Sequence, residues 1–156
     1  MKLSIRALAA FIACPGIVAG LVPWVIASGA PQFGPLRGEG LVPLAVGAGC
    51  LLLCVRDFLV SGRGTLAPWD PPRSLVIVGL YRFVRNPMYL SVLAIVLGWS
   101  LYFGSLWLLL YLAGLAVAVH IRVRMHEEPW LSRQFGADWK RYSGAVPRWI
   151  PRFHSK

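Results

Sequence analysis

The chain has 156 residues, of which 57% are hydrophobic and 14% are charged. Its mean hydropathy of +0.63 indicates more apolar surface than one small core can bury, so lipid must cover the remainder. The chain carries 16 Lys and Arg residues against 6 Asp and Glu residues. In a lipid-covered protein, an excess of basic residues indicates which loops face the cytoplasm and which side chains contact anionic headgroups. We therefore expect membrane lipids, and no nucleic acid, among its partners.

Four apolar stretches predict membrane-spanning helices, because a span needs about 20 residues and at least about 17. They cover residues 7–27, 41–60, 88–103 and 105–121. The first is longer than the apolar region of a typical signal peptide, which favours a retained span over a cleaved one. The last two are short and meet at Gly104, which predicts a tight helical hairpin. The expected fold is all-α, a polytopic membrane protein with about four transmembrane helices.

Basic residues predict the orientation, since Lys and Arg accumulate in short loops on the cytoplasmic side. With both termini in the cytoplasm, Arg37 is the one basic residue left outside, and the inner membrane is the expected location. Asp57 sits at the inner end of the second span, where snorkelling explains it. The cytoplasmic set is Lys2, Arg6, Arg56, Arg63, Arg73, Arg82, Arg85, Arg122, Arg124, Arg133, Lys140, Arg141, Arg148, Arg152 and Lys156.

Small residues recur four positions apart in the first two spans, at Gly16 with Gly20 and at Ala45 with Gly49. This spacing predicts helix packing faces, because small side chains let helix backbones approach closely in lipid. It does not by itself predict a dimer, and no obligate protein partner is evident.

Cysteine and histidine positions give no sign of a metal site or a disulfide framework. Cys14, Cys50 and Cys54 lie in apolar stretches and share no metal-ligand spacing with a histidine. The run His126-Glu127-Glu128 has no second histidine four residues on, as a zinc-binding helix would require. We therefore predict no metal.

Two segments remain on the cytoplasmic side, residues 61–87 and 122–156. The second predicts an amphipathic interfacial helix over residues 129–142, which Gly144 can end. Pro147 and Pro151 keep the following residues extended, so the end of the chain can fold back on the helical hairpin. The apolar positions at helical spacing are Leu131, Phe135, Trp139 and Tyr142.

The first motif that could carry chemistry is Arg85-Asn86-Pro87, where the cytoplasmic loop enters the third span. Asn can cap the N–H groups of a helix, and proline suits the first helical position. A helix start of this kind beside Arg85 attracts a carboxylate or phosphate. The alternative is an ordinary capped helix whose arginine reaches lipid headgroups.

The second motif is the acidic pair Glu127-Glu128, just past the inner end of the fourth span. One interpretation is ordinary ion pairing, for instance between Arg124 and Glu128 at the i,i+4 spacing. The other is functional, because the pair could hold a cation such as a sulfonium, or could orient Arg85 across a site.

Together, several motifs resemble the isoprenylcysteine carboxyl methyltransferase and phospholipid methyltransferase family of membrane enzymes. The resemblance covers about the last 90 residues, from Gly64 on. The chain departs from the common pattern at Asn86, Leu80 and Ser91, where many members have His, Pro and Gly. The motifs are Gly79-Leu80-Tyr81, Arg85-Asn86-Pro87-Met88-Tyr89, Glu127-Glu128, Phe135-Gly136, Tyr142 and Val146-Pro147-Arg148-Trp149-Ile150-Pro151.

The resemblance implies a single membrane methyltransferase domain over residues 1–156, with two supporting spans in 1–60 and a catalytic core in 61–156. It implies S-adenosyl-L-methionine as cofactor and a lipophilic methyl acceptor that enters from the bilayer. Arg85 and Glu128 are the candidate catalytic residues. The implied cofactor-binding residues are Tyr81, Arg85, Asn86, Pro87, Tyr89, Glu127, Glu128, Leu131, Phe135, Tyr142 and Pro147.

Two alternatives stay open at this point. A similar basic and aromatic tail occurs in membrane sterol reductases, which would imply NADPH and reductase chemistry at the same location. A small membrane scaffold without enzymatic activity would give the Gly16 and Gly20 face more importance than Arg85. The identity of the methyl acceptor, whether a carboxylate, an amine or another group, is not predicted.

Overall fold

The computed structural model describes residues 12–29, 34–57, 60–61 and 74–152. Every regular element within those ranges is helical. The α-helices are α1 Val22–Ser28, α2 Arg37–Asp57, α3 Pro87–Phe103, α4 Leu106–Arg122 and α5 Glu128–Ala145. A π-helical segment, Ile12–Leu21, leads into α1, a second one, Val123–Glu127, joins α4 to α5, and a 3-10 turn, Gly79–Arg82, precedes α3.

Two helices are long and apolar enough to cross a membrane: α2 and the continuous helix Leu106–Ala145. Two shorter apolar helices, Pro15–Ser28 and α3, accompany them. Large apolar side chains such as Val42, Leu52 and Trp107 remain exposed on the outer faces of α2 and α4. Such surfaces suit contact with lipid. The expected all-α fold is confirmed for the described residues, which include two helices apolar enough to cross a membrane.

The predicted helix boundaries agree best for the hairpin. The stretches 88–103 and 105–121 correspond to α3 and α4, and Gly104 makes the turn with a left-handed φ of +58°. The hydroxyl of Ser105 accepts the N–H of Leu108 and caps α4. The stretch 41–60 begins too late, because α2 starts at Arg37. Residues 7–11 and 58–59 of the predicted spans lie outside the described residues.

Close packing of α2 against α3 depends on glycines. An added Cβ on Gly40 would lie 2.7 Å from the backbone N of Tyr102, and one on Gly98 would lie 2.6 Å from Leu44. Gly47 meets α3 in the same way. Gly20 and Gly49 do not make the predicted close approach to a described helix, since a Cβ on either would meet no described residue within 4 Å.

The apolar helix Pro15–Ser28, which we call the first helix of the described residues, is tied to α3 and α4 at Pro23. Pro23 has no N–H, so it cannot donate a hydrogen bond to the carbonyl of Ala19, as in an α-helix, or to that of Val18, as in a π-helix. Trp99 Nε1 donates to the Ala19 carbonyl at 3.0 Å, and the Tyr111 hydroxyl donates to the Val18 carbonyl at 2.9 Å. Pro23 therefore removes one helical donor, and two aromatic side chains donate to the two carbonyls that its N–H could have served.

The predicted amphipathic helix over 129–142 is confirmed as α5, which runs to Ala145 and therefore slightly past Gly144. It is kinked at Gly136, whose φ of +48° and ψ of −116° are not helical. After the kink, Trp139 and Tyr142 are buried against Leu75 of the preceding loop. The end of the chain therefore folds back on the residues that lead into α3.

Candidate functional site

Arg85 lies between the 3-10 turn and the first residue of α3. Pro87 occupies the start of α3, as predicted. Asn86 is the N-cap residue by position, but its side chain makes no capping hydrogen bond, so that part of the prediction is wrong. Its Nδ2 instead donates to the carbonyl of Arg148 at 3.1 Å, and the backbone N–H of Arg85 donates to the carbonyl of Pro147 at 2.9 Å. Both contacts bind this junction to the end of the chain.

Arg85, Glu128 and Arg148 form a three-member group that we call the arginine network. Arg85 Nη1 donates to Glu128 Oε1 at 2.9 Å. Arg148 donates to both carboxylate oxygens at 2.7 Å, through Nε and Nη2. The side chains of Arg85 and Glu128 are 12% and 15% exposed, so water competes weakly for these bonds. The sequence suggested that Glu128 could orient Arg85, and the structure brings them together.

One donor of Arg85 is left without a partner. The guanidinium lies 5.6 Å from the ring centroid of Trp139, and its buried Nε makes no hydrogen bond in the described part of the chain. Burial lowers the pKa of Arg85, nearby Arg148 lowers it further, and Glu128 opposes both effects. Arg85 nevertheless remains protonated at neutral pH. A buried N–H of this kind is costly unless something accepts it.

Glu127 joins a separate contact group beside the arginine network. Its Oε1 accepts hydrogen bonds from Tyr89 on α3 and from Arg122 at the end of α4, the latter at 2.9 Å. The proposed pairing of Arg124 with Glu128 is wrong, because Glu128 is taken by Arg85 and Arg148. The two adjacent carboxylates therefore bind different elements. Glu127 connects α3 to α4, and Glu128 connects the loop to the end of the chain.

The tail, residues 146–152, lies along the loop that enters α3. The backbone N–H of Arg152 donates to the Phe83 carbonyl at 3.1 Å. Trp149 Nε1 donates to His120 Nδ1 at 3.1 Å, which holds the tail to the end of α4. Just before the tail, the Tyr142 hydroxyl donates to the Tyr81 carbonyl at 2.7 Å. The tail therefore closes over the arginine network from one side.

The structure brings most of the sequence-predicted site residues to one end of the helix bundle. Leu131 and Phe135 support Trp139, the aromatic neighbour of Arg85. The side chain of Tyr81 points elsewhere, since it packs with Cys54 and Val76, and only its carbonyl meets Tyr142. The residues brought together are Arg85, Asn86, Pro87, Tyr89, Glu127, Glu128, Tyr142 and Pro147.

Sequence reasoning missed three members of this site: Arg122, Trp139 and Arg148. Arg148 stands within the quoted Val-Pro-Arg-Trp motif, so its position was visible but its partner was not. Trp139 was predicted as an apolar position of the interfacial helix, and its contact with Arg85 requires the fold-back after Gly136.

A family model described as phospholipid methyltransferase matches residues 46–138, more than half of the chain. The chain belongs to the phospholipid methyltransferase family. The matched region includes Arg85, Tyr89, Glu127 and Glu128 and ends before Tyr142 and the tail. Membership in the phospholipid methyltransferase family indicates a membrane methyltransferase.

Comparison with individual proteins adds a bacterial relative of this chain. An uncharacterized protein from Haemophilus influenzae is 38% identical over 68 residues, which cover 40% of this chain and all of that protein. No solved structure matches the chain.

Proposed function

We propose that this protein is an S-adenosyl-L-methionine-dependent methyltransferase that acts on a lipophilic acceptor reached from the bilayer. Residues 61–156 form the catalytic core, and the two spans within 1–60 support it as parts of one domain. The family supports the methyltransferase class. The residues around Arg85 support the choice of cofactor.

The unpartnered Nε of Arg85 carries the proposal. S-adenosyl-L-methionine has an α-carboxylate, and a buried guanidinium N–H is a strong donor to such a group. Arg85 and Arg148 share the single carboxylate of Glu128, so the arginine network keeps a net positive charge. The residues present therefore fit an anionic group at this point, and Arg85 is the residue that contacts it.

Other residues hold the remainder of the cofactor or shape its surroundings. Glu128 is a positioning residue, because it fixes both guanidinium groups of the arginine network. Glu127 and the aromatic ring of Tyr89 provide negative charge and a π-face, which suit a sulfonium cation. The complete proposed set is Tyr81, Arg85, Asn86, Pro87, Tyr89, Glu127, Glu128, Leu131, Phe135, Tyr142 and Pro147.

When bound, the cofactor supplies a methyl group already activated by the positive charge on sulfur. The protein then needs to align the acceptor and exclude water, and it needs no catalytic triad. The tail contributes to exclusion of water, because Arg148, Trp149 and Arg152 hold it against the loop and the end of α4. An acceptor that dissolves in the bilayer reaches this end of the bundle along the exposed apolar faces of the helices.

We further propose four spans with both termini in the cytoplasm of the inner membrane. α2 and α3 are antiparallel, since Gly40 approaches Tyr102 and Gly47 approaches Ser91. Arg56, Arg85 and Arg122 therefore lie at one end of the bundle, and Arg37 lies at the other. This asymmetry supports the orientation expected from the positive-inside rule.

Calorimetric titration of the detergent-purified protein with S-adenosylhomocysteine tests the proposed cofactor. We expect saturable binding to the wild type and at least about tenfold weaker binding to Arg85→Ala, since a charge-assisted hydrogen bond is lost. Arg133→Ala removes an exposed arginine from α5 and is the matched control, expected to bind as the wild type does. Circular dichroism checks that each variant keeps its helix content.

A parallel titration with NADPH separates the methyltransferase from the reductase and scaffold alternatives. Absence of S-adenosylhomocysteine binding to folded wild type overturns the proposal. Binding of NADPH instead identifies a reductase, and binding of neither nucleotide favours a scaffold. Incubation with labelled S-adenosyl-L-methionine and total membrane extract then identifies the lipid or peptide that gains the methyl group.

A further inference from the structure

Gly136 breaks α5 into two parts. Its φ of +48° and ψ of −116° lie where L side chains are rarely found, and a Cβ added there would meet no described residue within 4 Å. No described side chain therefore fills the space around the break. The break depends on a backbone conformation that glycine adopts readily and other residues do not.

The two parts of α5 are attached to different elements. Before Gly136, α5 continues α4 through the π-helical segment Val123–Glu127. After Gly136, residues 137–145 and the tail form one unit, which we call the lid. Trp139 of the lid lies over the guanidinium of Arg85, at 5.6 Å from the ring centroid. The lid therefore covers the arginine network.

The arginine network forms because the chain turns back on itself. An unbroken helix would place Ala145 about 25 Å from Glu128, because each residue adds about 1.5 Å. Arg148 follows soon after Ala145, yet it donates to both carboxylate oxygens of Glu128 at 2.7 Å. Gly136 is the residue with non-helical angles inside α5, so α5 turns there. A straight α5 would carry the lid away from Arg85.

The sequence of α5 suits a straight helix as well. An unbroken helix would carry four apolar side chains on one face, because they follow one another at intervals of four, four and three residues. Arg133 and Lys140, both exposed, would lie on the opposite face. A helix with two such faces lies stably at the boundary between headgroups and acyl chains. The four apolar residues are Leu131, Phe135, Trp139 and Tyr142.

We propose that α5 has a closed and an open state, which interconvert at Gly136. The closed state is the kinked one, in which Trp139 and Tyr142 are buried. In the open state Gly136 takes helical angles, α5 is straight, and its apolar face lies on the membrane surface, which again covers Trp139 and Tyr142. Opening uncovers Arg85 and gives a polar ligand a route to the arginine network. The hinge stands on the geometry of α5 alone, whereas its use by the cofactor rests on the proposed function.

Hydrogen exchange of the full-length protein in lipid nanodiscs tests the hinge. Gly136→Ala disfavours the kinked backbone and raises helix propensity, so both effects favour the open state. The amides of Arg85 and Arg152, which donate across the contact between loop and tail, should exchange at least about tenfold faster. The amides of residues 138–145 should stay as protected as in the wild type, because the lid moves as a helix.

The matched control is Gly144→Ala, which makes the same change near the end of α5, where a Cβ also meets no described residue within 4 Å. It should leave exchange at Arg85 and Arg152 within about twofold of the wild type. Unchanged exchange of both amides in Gly136→Ala overturns the inference. Loss of protection confined to residues 138–145 also overturns it, because the lid then unfolds instead of straightening.

A second variant decides if Gly136→Ala does not fold. Ala137→Pro makes the opposite change, since the residue before a proline avoids helical angles and proline suits the first position of a helix. The amides of Arg85 and Arg152 should then exchange several-fold more slowly than in the wild type. Equal or faster exchange in folded Ala137→Pro overturns the inference.

Spin labels report the position of the lid directly. Arg82→Cys and Arg141→Cys place them at exposed positions beside Tyr81 and Tyr142, whose hydrogen bond docks the lid. In a chain without its native cysteines, Gly136→Ala should move the measured distance distribution to longer distances in nanodiscs. An unchanged distribution overturns the inference.

S-adenosylhomocysteine separates the hinge from the proposed function. Bound nucleotide should slow exchange at Arg85 and Arg152 in the wild type, because it contacts Arg85 beneath the lid. Exchange that responds to Gly136→Ala but not to nucleotide supports the hinge and overturns the proposed function. Exchange that responds to nucleotide but not to Gly136→Ala overturns the hinge alone.

Discussion

Replacement of Glu128 by glutamine should release the tail. The substitution keeps the size of the side chain but removes the charge that three short hydrogen bonds share, one from Arg85 and two from Arg148. It also leaves two guanidinium groups close together without their common counter-ion. The tail is then held mainly by Asn86, by Trp149 and by the backbone bonds of Arg85 and Arg152.

The free energy lost in Glu128→Gln should lie between the values for an exposed and for a fully buried ion pair. Removal of one partner from a fully buried ion pair costs about 3–5 kcal/mol, whereas an exposed pair contributes about 0–1 kcal/mol. Glu128 is 15% exposed and Arg148 is 30% exposed, so the network is close to the buried limit without reaching it. We expect a loss of about 2–3 kcal/mol, which corresponds to roughly a 30- to 150-fold increase in local opening.

Residue-resolved hydrogen exchange measures this opening directly. The amides of Arg85 and Arg152 donate across the contact between loop and tail, so both should exchange about 30- to 150-fold faster, or reach the rate of an unprotected amide. Glu127→Gln is the matched control, because it makes the same change one residue away and affects Arg122 and Tyr89 instead. Unchanged exchange at Arg85 and Arg152 in Glu128→Gln would refute the assigned role of the arginine network.

Three further substitutions test the surrounding contacts. Asn86→Ala should leave helix content unchanged by circular dichroism, since the side chain of Asn86 makes no capping hydrogen bond. The variant should still speed hydrogen exchange of the tail amides by about three- to tenfold, because one hydrogen bond to the tail is lost. A loss of helix content would contradict this prediction. Tyr142→Phe should destabilise the packing of the end of α5 on the 3-10 turn by about 1 kcal/mol, because the Tyr81 carbonyl loses its hydrogen-bond donor. Native-state proteolysis measures this as faster cleavage, and an unchanged cleavage rate would count against that hydrogen bond. Gly98→Ala should lower the midpoint of thermal unfolding in detergent, because the added Cβ would meet Leu44. Gly49→Ala is the control and should leave the midpoint unchanged, since a Cβ there meets no described residue within 4 Å. Equal midpoints would mean that α2 and α3 do not pack as closely as described.

The elements that local sequence rules govern were predicted well. The hairpin of α3 and α4 follows from two apolar runs that meet at Gly104, and Pro87 at the start of α3 follows from its missing N–H. The amphipathic period of α5 predicted that helix from its own residues. These features depend on neighbours within one or two helical turns, which the sequence displays directly.

The site contacts could be predicted only in part, because they join distant residues. Arg85 and Glu128 are 43 positions apart, and the sequence suggested their contact only as one of several roles for the acidic pair. Asn86 and Arg148 are 62 positions apart, and this contact replaced the capping bond that a local rule predicted. The sequence indicated only that the Asp57 side chain reaches the membrane surface. Nothing in the sequence shows that Gly79, 22 positions later, lies beside the Asp57 carboxylate.

Pro23 has a consequence for how the protein is made. In hydrocarbon each backbone carbonyl needs a donor. The carbonyl that lacks the Pro23 N–H finds its donor on Trp99 or Tyr111, which are synthesised much later. The first helix therefore cannot satisfy its own backbone when it leaves the ribosome. We expect it to stay at the insertion machinery, or to keep water at its exposed carbonyls, until α3 and α4 have been translated. Biogenesis would then finish with its docking, although it precedes α2, α3 and α4 in the chain.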